Sequence, residues 1–312
     1  MLRFAVLAAA VVVVLTSCNG RRKMKPEEFA KYKAEVDAWH AKRIKDVLAP
    51  NGWVNLIGLY WLEPGIHSFG SGEKSDIVFP AGTVPEKAGF FLVNDGQVTI
   101  TVEDGVDIRA DGKPIARALI FHPDSVKNPQ LELGSVRWNV ILRSDKLGIR
   151  LRDLESTAVK NFKGIERFPV NPEWKREARF EKYDSLKTIS ITNIIGQTTE
   201  QRALGALVFE WQGQQLRLDV LEGRDDFFIV FADATSGKQT YGGGRFIDVK
   251  KPDSTGITII DFNKAYNPPC VFSPFATCPL PPPQNRLPIE INAGELNYHD
   301  NDGHTVTAAN HL

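Results

Sequence analysis

The residue types that could bind a ligand cluster in the last third of the chain. In "TYGGGRF", the three successive glycines of residues 242–244 separate Tyr241 from Arg245. Glycine lets a backbone approach a ligand closely, and the flanking side chains could offer a hydroxyl and a two-pronged cation to a carboxylate or phosphate. A β-bulge in which Arg245 pairs with an acid such as Asp233 or Asp261 is the structural alternative.

A second group of polar side chains lies where a strand is predicted to end and a proline-rich loop begins. Convergent polar groups in a rigid, mostly apolar setting are typical of small-molecule sites. Asparagine and aspartate also satisfy the backbone of turns, so the same groups could be structural. Together they favour a ligand site with the candidate residues Tyr241, Arg245, Asp261, Asn263, Tyr266 and Asn267.

The proline-rich loop, "DFNKAYNPPCVFSPFATCPLPPPQNR", spans residues 261–286 and contains seven prolines together with Cys270 and Cys278. Each proline fixes a backbone angle, and in a protein outside the cytoplasm an even number of remaining thiols favours a disulfide. Closing so short a loop would remove about 2.5 kcal/mol of unfolded-chain entropy. A nucleophilic cysteine is the alternative, and it would require a histidine as its base.

No metal site, cofactor or nucleic-acid partner is expected. In the terminal "HDNDGHTVTAANH", Tyr298 and Ala309 stand where a calcium loop requires an early Asp or Asn and a late Glu. The 38 basic and 38 acidic side chains cancel, so the chain has no net charge that would attract nucleic acid.

The first residues predict export followed by lipid attachment. Arg3 precedes an apolar run and then "LTSC", which ends at Cys18. This order is typical of a signal peptide, here residues 1–17. The small residues before Cys18 resemble the lipobox of bacterial lipoproteins, which implies acyl chains such as palmitate on that cysteine. Residues 18–25 would then tether the protein to a membrane of the cell envelope, facing away from the cytoplasm.

The elements that must position these residues are mainly β. Residues 26–50 are predicted to form one amphipathic helix, because apolar residues recur on one face with a 3.6-residue period. Runs such as "QVTITV" and "VRWNVILR" then alternate apolar and polar residues between turns such as "NDG". Closely spaced strands without helical crossovers indicate two antiparallel units: a sandwich at 51–160, and a sandwich or barrel at 161–296, followed by a tail at 297–312.

The first unit resembles a forkhead-associated domain in the order of "GIHSFGSGEKSDIVFPAGTVPEKAGFF", "ADGKPI" and "LELGSVRWNVILR". That family binds phosphothreonine through arginine, serine, histidine and asparagine side chains. The corresponding positions here hold Ser71, Val84, Lys87 and Asp111, so the resemblance implies a sandwich without phosphopeptide chemistry.

From about Trp39 to Glu295, the chain is similar to the bacterial and archaeal family known as domain of unknown function 1684. The resemblance rests on "DATSGKQTYGGGRFIDV", on the proline-rich loop and on the upstream "GWVNLIGLYWLEPG". It implies no particular activity.

Two functional classes remain open. One is an envelope lipoprotein, held to the membrane through Cys18, that binds a small molecule or an envelope protein at the loop end of the C-terminal β unit. The other is an enzyme, for example a hydrolase, that uses Tyr, Arg, Asp or Cys groups of the same loops. Binding is favoured because no nucleophile with its base, carboxylate pair or metal set can be assigned.

Overall fold

The computed structural model describes residues 24–143 and 145–299, and these residues form a mainly β protein with antiparallel sheets, as predicted. The predicted signal peptide and Cys18 lie outside the described residues, as do residues 300–312 of the predicted tail. Among the described residues, no helix combines the length and apolar character that crossing a bilayer requires.

The first β unit consists of two sheets that face each other across one apolar core. Its strands are β1 (Leu56–Leu62), β2 (Gly65–Gly70), β3 (Ile77–Val78), β4 (Gly89–Asn94), β5 (Gln97–Val102), β6 (Arg109–Ala110), β7 (Lys113–Pro114), β8 (Arg117–Phe121), β9 (Leu131–Leu133), β10 (Val136–Arg143) and β11 (Lys146–Asp153). The sheet orders are β1-β11-β10-β9-β6-β7 and β3-β2-β4-β5-β8. All pairs are antiparallel except β2 with β3.

Aromatic side chains from both sheets fill this core. Phe69 stacks on Phe91 with ring centroids 4.3 Å apart, and Trp138 of the facing sheet lies edge-on to Phe79 at 6.0 Å. The "NDG" turn joins β4 to β5, and Asp95 and Gly96 both have positive φ values, as a tight hairpin requires. The alternating apolar residues and the turn residues of the sequence thus specify the same sheet structure.

The second β unit is one strongly curved six-stranded sheet. Its strands are β12 (Lys175–Thr192), β13 (Thr198–Trp211), β14 (Gln214–Glu222), β15 (Phe227–Phe231), β16 (Arg245–Val249) and β17 (Ile257–Asp261), in the antiparallel order β16-β15-β14-β13-β12-β17. The short helix α2 (Thr157–Lys160) and a 3-10 turn at Pro172–Trp174 precede the sheet. Three further 3-10 turns follow β17 at Phe262–Lys264, Pro269–Val271 and Pro283–Asn285. The sheet forms a half-barrel whose concave side is filled with apolar side chains, so its interior is a packed core.

Helix α1 (Pro26–Leu48) crosses the second unit, although it precedes the first unit in sequence. The hydroxyl of Tyr32 donates to Asp261 Oδ1 at 2.7 Å, and Lys264 forms an ion pair with Glu35 at 2.6 Å. Val36 is fully buried beneath the helix. This packing brings the second half of α1 against the proline-rich loop.

Candidate functional site

Arg245 is fully buried and links its own strand to Asp233 and to residues 291–293. Its NH2 group donates to Asp233 Oδ2 at 2.7 Å and to the carbonyl of Ile291 at 3.1 Å, and NH1 donates to the carbonyl of Ala293. Burial lowers the pKa of Arg245, and the carboxylate of Asp233 opposes that shift. The pairing with Asp233 was the structural alternative considered for this residue. Arg245 therefore has no face open to a ligand.

The glycine run serves close packing. Gly244 has a φ of +84°, and a Cβ built there would lie 2.3 Å from Pro281 Cγ and 2.6 Å from the carbonyl oxygen of Phe231. A Cβ on Gly243 would lie 2.4 Å from the ring of Tyr241. At Gly244 a larger side chain is excluded because Pro281 of the proline-rich loop packs directly on this backbone, and at Gly243 the obstacle is the Tyr241 ring.

The two cysteines are free and buried, so the predicted disulfide is absent from the structure. The backbone N–H of Cys270 donates to Cys278 Sγ at 3.1 Å, and the Cys270 thiol donates to the buried Tyr241 hydroxyl at 3.5 Å. Burial raises the pKa of the Cys278 thiol. In the structure, hydrogen bonds hold the loop in place.

The side chain of Asn285 supplies three of the hydrogen bonds that hold the proline-rich loop. Asn285 accepts from the N–H of Asp219 at 2.7 Å and donates to the carbonyls of Asp219 and Val230, both at 2.9 Å. Ser273 ties the loop to the first unit by donating to the carbonyl of Leu56 at 2.8 Å. These bonds tie the loop to β14, β15 and β1. They satisfy backbone groups that have no partner in the hydrogen-bond ladders of the sheets.

Asp261 and Asn263 join helix α1 to the second unit. Asn263 donates from Nδ2 to the Tyr32 hydroxyl at 2.9 Å and to the carbonyl of Asn171 at 2.8 Å, while its Oδ1 accepts from the N–H of Asn171 at 2.8 Å. Asp261 accepts from Tyr32 and caps the following 3-10 turn through the N–H of Asn263. Burial raises the pKa of Tyr32. Both side chains are buried and structural.

Asn267 is also buried, but it borders a second buried carboxylate. Its N–H donates to Glu295 Oε2 at 2.7 Å, and its side chain donates to the carbonyl of Leu296 at 2.7 Å. Arg43 of helix α1 reaches the same place, donating from NH2 to the Asn267 carbonyl at 2.8 Å and from Nε to Glu295 Oε1 at 3.3 Å. Burial raises the pKa of Glu295, and the charge of Arg43 opposes the rise.

Tyr266 differs from the other predicted residues, because it lines an open groove between α1, β15, β16 and the proline-rich loop. We call this the aromatic groove; its volume is about 580 Å³. Five rings line it, from Trp39, Trp53, Phe228, Phe246 and Tyr266. Tyr266 lies edge-on to Phe246 at 5.9 Å, and Trp39 lies 6.4 Å from Tyr266, so three of the rings form one continuous wall.

The charged side chains of the groove differ in whether they have an ion-pair partner. Lys42 forms an ion pair with Asp46 at 2.5 Å, and Arg43, held by Glu295, lies over the Tyr266 ring with Cζ 4.8 Å from its centroid. Asp248 accepts from the Tyr266 hydroxyl at 2.9 Å and has no ion pair with any described residue.

Partial enclosure of Asp248 in the groove has an electrostatic consequence. Burial raises the pKa of Asp248 although one face of the side chain stays exposed, and the bond from Tyr266 opposes the rise. The charge of Asp226 raises it further, and that of Arg43 lowers it. A cationic group in the groove would relieve both the burial and the repulsion.

Two of the residues aligned with phosphothreonine-binding positions, Ser71 and Val84, contact each other, and both Ser71 and Asp111 bond to the backbone of the chain. Ser71 donates to the carbonyl of Val84 at 2.7 Å. Asp111 lies in the turn between β6 and β7, where its Oδ1 accepts from the N–H of Gln130 at 3.2 Å. These contacts stabilise loops of the first unit.

A second cavity, of about 960 Å³, borders Met24, the first described residue, and includes Phe29, Arg176 and Trp211. Within residues 24–143 and 145–299, no group of three or more His, Cys, Asp or Glu side chains is arranged to hold a metal ion.

Residues 160–296 match the family described as "Protein of unknown function (DUF1684)", which confirms the resemblance seen in the sequence over that segment. An uncharacterized protein of Haloarcula marismortui, solved by solution NMR, is 29% identical; the match covers 44% of this chain and 78% of that chain, with a TM-score of 0.37. No curated protein matches the chain.

Sequence reasoning missed most of the groove. Trp39 and Arg43 belong to a helix more than 200 residues away from Tyr266 along the chain. Asp248 is the one exposed residue in the strand "RFIDV". Its carboxylate among apolar residues was the sequence signal that could have identified it as a site residue.

Proposed function

We propose that this protein binds a small organic molecule bearing a permanently or readily charged amine in the aromatic groove. The observation that carries the proposal is the pairing of five aromatic rings with one carboxylate, Asp248, that has no ion-pair partner among the described residues. Aromatic faces attract cations electrostatically, and a carboxylate at the edge of the rings adds a charge-assisted contact.

The size of the groove supports a small molecule. Its volume of about 580 Å³ lies within the roughly 300–1,000 Å³ typical of small-molecule sites. The rings of Trp39 and Trp53 keep part of their surface exposed, whereas Phe246 is almost fully buried at the base. A ligand could therefore cover exposed apolar surface without any rearrangement of the core.

The charges of the groove support a cation over an anion. Lys42 and Arg43 are each already matched, by Asp46 and by Glu295. Arg43 also shows that a cation is accommodated on the face of Tyr266. The unmatched charge is negative, so an anionic ligand would meet repulsion from Asp248.

Binding is favoured over catalysis by the fate of the reactive groups. Tyr241, Arg245, Cys270 and Cys278 are buried, and their contacts are with other parts of the protein. An enzyme using these groups would require their exposure to substrate. The groove needs no such opening.

The cellular setting completes the proposal. The order of basic, apolar and small residues before Cys18 supports cleavage of a signal peptide and lipid attachment at that cysteine. Several acyl chains would hold the protein on a membrane of the cell envelope. Helix α1 begins eight residues after Cys18, so the tether would be short and the groove would lie outside the cytoplasm.

Calorimetric titration with a charged and a neutral isostere tests the proposal. Choline carries a trimethylammonium group, and 3,3-dimethyl-1-butanol replaces its nitrogen with carbon. We expect choline to bind more tightly by about tenfold, the scale of one desolvated cation–π or charge-assisted contact. The D248N variant should abolish that preference.

The matched control is D104N, which removes an exposed carboxylate in a turn of the first unit. It should leave the preference unchanged. Equal affinity of the wild type for the two isosteres, or no binding of either, would contradict a cation-binding groove.

A further inference from the structure

We propose that Arg150 and Arg152 form a second site, for a small oxyanion, between the two β units. Both side chains extend from β11 and both are buried, with relative exposures of 7% and 5%. They are two residues apart, so they project from the same face of the strand with Cα atoms about 7 Å apart. The inference is independent of the aromatic groove.

The face they occupy points away from the core of the first unit. Leu147, Ile149 and Leu151 alternate with the arginines and lie inside that core. The arginines therefore face the segment between α1 and β1 and the proline-rich loop beyond it. Arg152 donates from Nε to the carbonyl of Gly52 at 3.2 Å, and the Arg150 guanidinium lies 5.1 Å from the ring centroid of Trp53.

Neither guanidinium has an acidic partner among the described residues. Arg152 also donates from NH1 to Asn139 Oδ1 at 3.2 Å, which is a neutral acceptor. Arg150 makes no hydrogen bond to any described residue, and its Nε is enclosed without a partner. Its terminal nitrogens are not enclosed, so they remain in contact with solvent.

The charges around Arg150 reinforce this imbalance. Burial lowers the pKa of Arg150 to about 10, and the positive charges of Arg143 and Arg152 add to that effect. Burial lowers the pKa of Arg152 to about 10 as well. Cys278 also lies near Arg150, but burial raises the pKa of that thiol, so it supplies no anion near neutral pH. A buried cation without an anion is costly, so a counter-ion from outside the chain would stabilise this arrangement.

The chemistry of the donors selects the ligand class. Guanidinium groups present pairs of N–H donors in a fixed plane that matches the oxygens of a carboxylate or phosphate. Two such groups on one face, with free terminal nitrogens on Arg150, could hold one oxyanion between them. Trp53 covers one side of Arg150 and separates this site from the aromatic groove, which it also lines.

Calorimetric titration of the purified whole chain with sodium phosphate, sodium acetate and sodium chloride at matched ionic strength tests the proposal. We expect saturable one-to-one binding of phosphate or acetate and no comparable binding of chloride. Tighter binding of phosphate would identify a phosphate group as the ligand, and equal or tighter binding of acetate would identify a carboxylate.

The variants separate a site from a general charge effect. R150M should weaken oxyanion binding by about tenfold or more, because a charged two-pronged contact is lost. R150K keeps the charge without the planar fork and should weaken binding by a smaller factor. R117M, which removes an exposed arginine from β8, should change it less than twofold.

A thermal melt supplies a second measurement. In a buffer free of oxyanions, R150M should melt at or above the temperature of the wild type, since the variant no longer buries an unpaired cation. Phosphate or acetate should raise the melting temperature of the wild type and not that of R150M. Equal effects of chloride and the oxyanions, or equal responses of R150M and R117M, would overturn the proposal.

Discussion

Two regions of the second β unit contain the same kinds of polar side chain but use them differently. Around Arg245, the carboxylate of Asp233 receives the guanidinium and also accepts from the N–H of Thr235 at 2.8 Å. In the aromatic groove, Asp248 receives one hydroxyl, from Tyr266. The first carboxylate is enclosed, and the second keeps an exposed face beside aromatic rings.

This difference indicates that a side chain can bind a ligand only where the protein leaves it accessible and without a partner of its own. Three enclosed atoms near the predicted site, Arg245 Nε, Asp261 Oδ2 and Asn267 Oδ1, lack hydrogen-bond partners, but none of them is open to solvent. In the groove, the carboxylate of Asp248 and part of the Trp39 and Trp53 side chains are exposed. Residue type alone predicted the first region, whereas accessibility identifies the second.

The largest expected effect is on stability, from breaking the buried ion pair. R245A should lower the free energy of unfolding by about 3–5 kcal/mol, because it leaves the carboxylate of Asp233 buried without its partner. Urea unfolding measures this change. R117A, at an exposed position, should change it by less than about 0.5 kcal/mol.

A double variant separates the loss of the ion pair from the burial of an unpaired charge. R245M combined with D233N removes both charges, and it should be less destabilised than R245A, since no unpaired charge stays in the core. A loss below about 1 kcal/mol for R245A would contradict a structural role and return Arg245 to the list of ligand-binding candidates.

The glycine run offers the next largest effect. G244A should destabilise the protein by about 2 kcal/mol or more, because alanine is strained at a φ of +84° and its Cβ would collide with Pro281. G242A is the matched control, since a Cβ there meets its nearest atom at 3.5 Å. Similar unfolding free energies for the two variants would show that the loop does not pack on Gly244 as described.

The pH dependence of choline binding probes the groove itself. Choline keeps its charge at every pH, so its affinity should follow the ionisation of Asp248. Because burial raises the pKa of Asp248, binding should be full above that pKa and should fall as the pH decreases through it, at a higher pH than for an ordinary aspartate near 3.9. D248N should bind weakly and independently of pH in this range.

The stability of the ligand-free protein should change in the opposite sense. A carboxyl with a raised pKa in the folded state holds its proton more tightly there than in the unfolded chain. Its contribution to stability is therefore complete below the unfolded pKa and is lost as the pH rises through the folded pKa. Choline affinity that is unchanged down to pH 3 in the wild type would contradict a role for Asp248.

The smallest effect is expected at the rim of the groove. K42A removes an ion pair with Asp46 whose side chains are 73% and 55% exposed, so the free energy of unfolding should fall by less than about 0.5 kcal/mol. Urea unfolding at low and high salt measures it. A loss above about 1 kcal/mol would show that the rim is more rigid than its exposure indicates.

The architecture was more predictable from the sequence than the site. Alternating runs and the turn at Asp95 and Gly96 report local geometry, and local geometry is what periodicity encodes. The Arg245–Asp233 pair was one of two alternatives, because a buried arginine needs an acid within a few ångströms. The groove depends on helix α1 packing across the second unit, and no local pattern specifies that arrangement.

The cysteine pair illustrates the same limit. Spacing and compartment favoured a bond between Cys270 and Cys278, but the loop is held instead by Ser273 and Asn285, whose partners lie on distant strands. A hydrogen-bond network of this kind involves long-range contacts, so counting cysteines could not reveal it.

The central claim is that ligands bind in the aromatic groove, and the indole N–H signals of the six tryptophans test it most directly. In a nitrogen-15 NMR titration with choline, with W39F and W53F used for assignment, we predict shifts of the Trp39 and Trp53 signals. The signals of Trp61, Trp138, Trp174 and Trp211 should stay in place. Shifts confined to Trp174 and Trp211, beside the second cavity, or no shift at any tryptophan, would contradict the account.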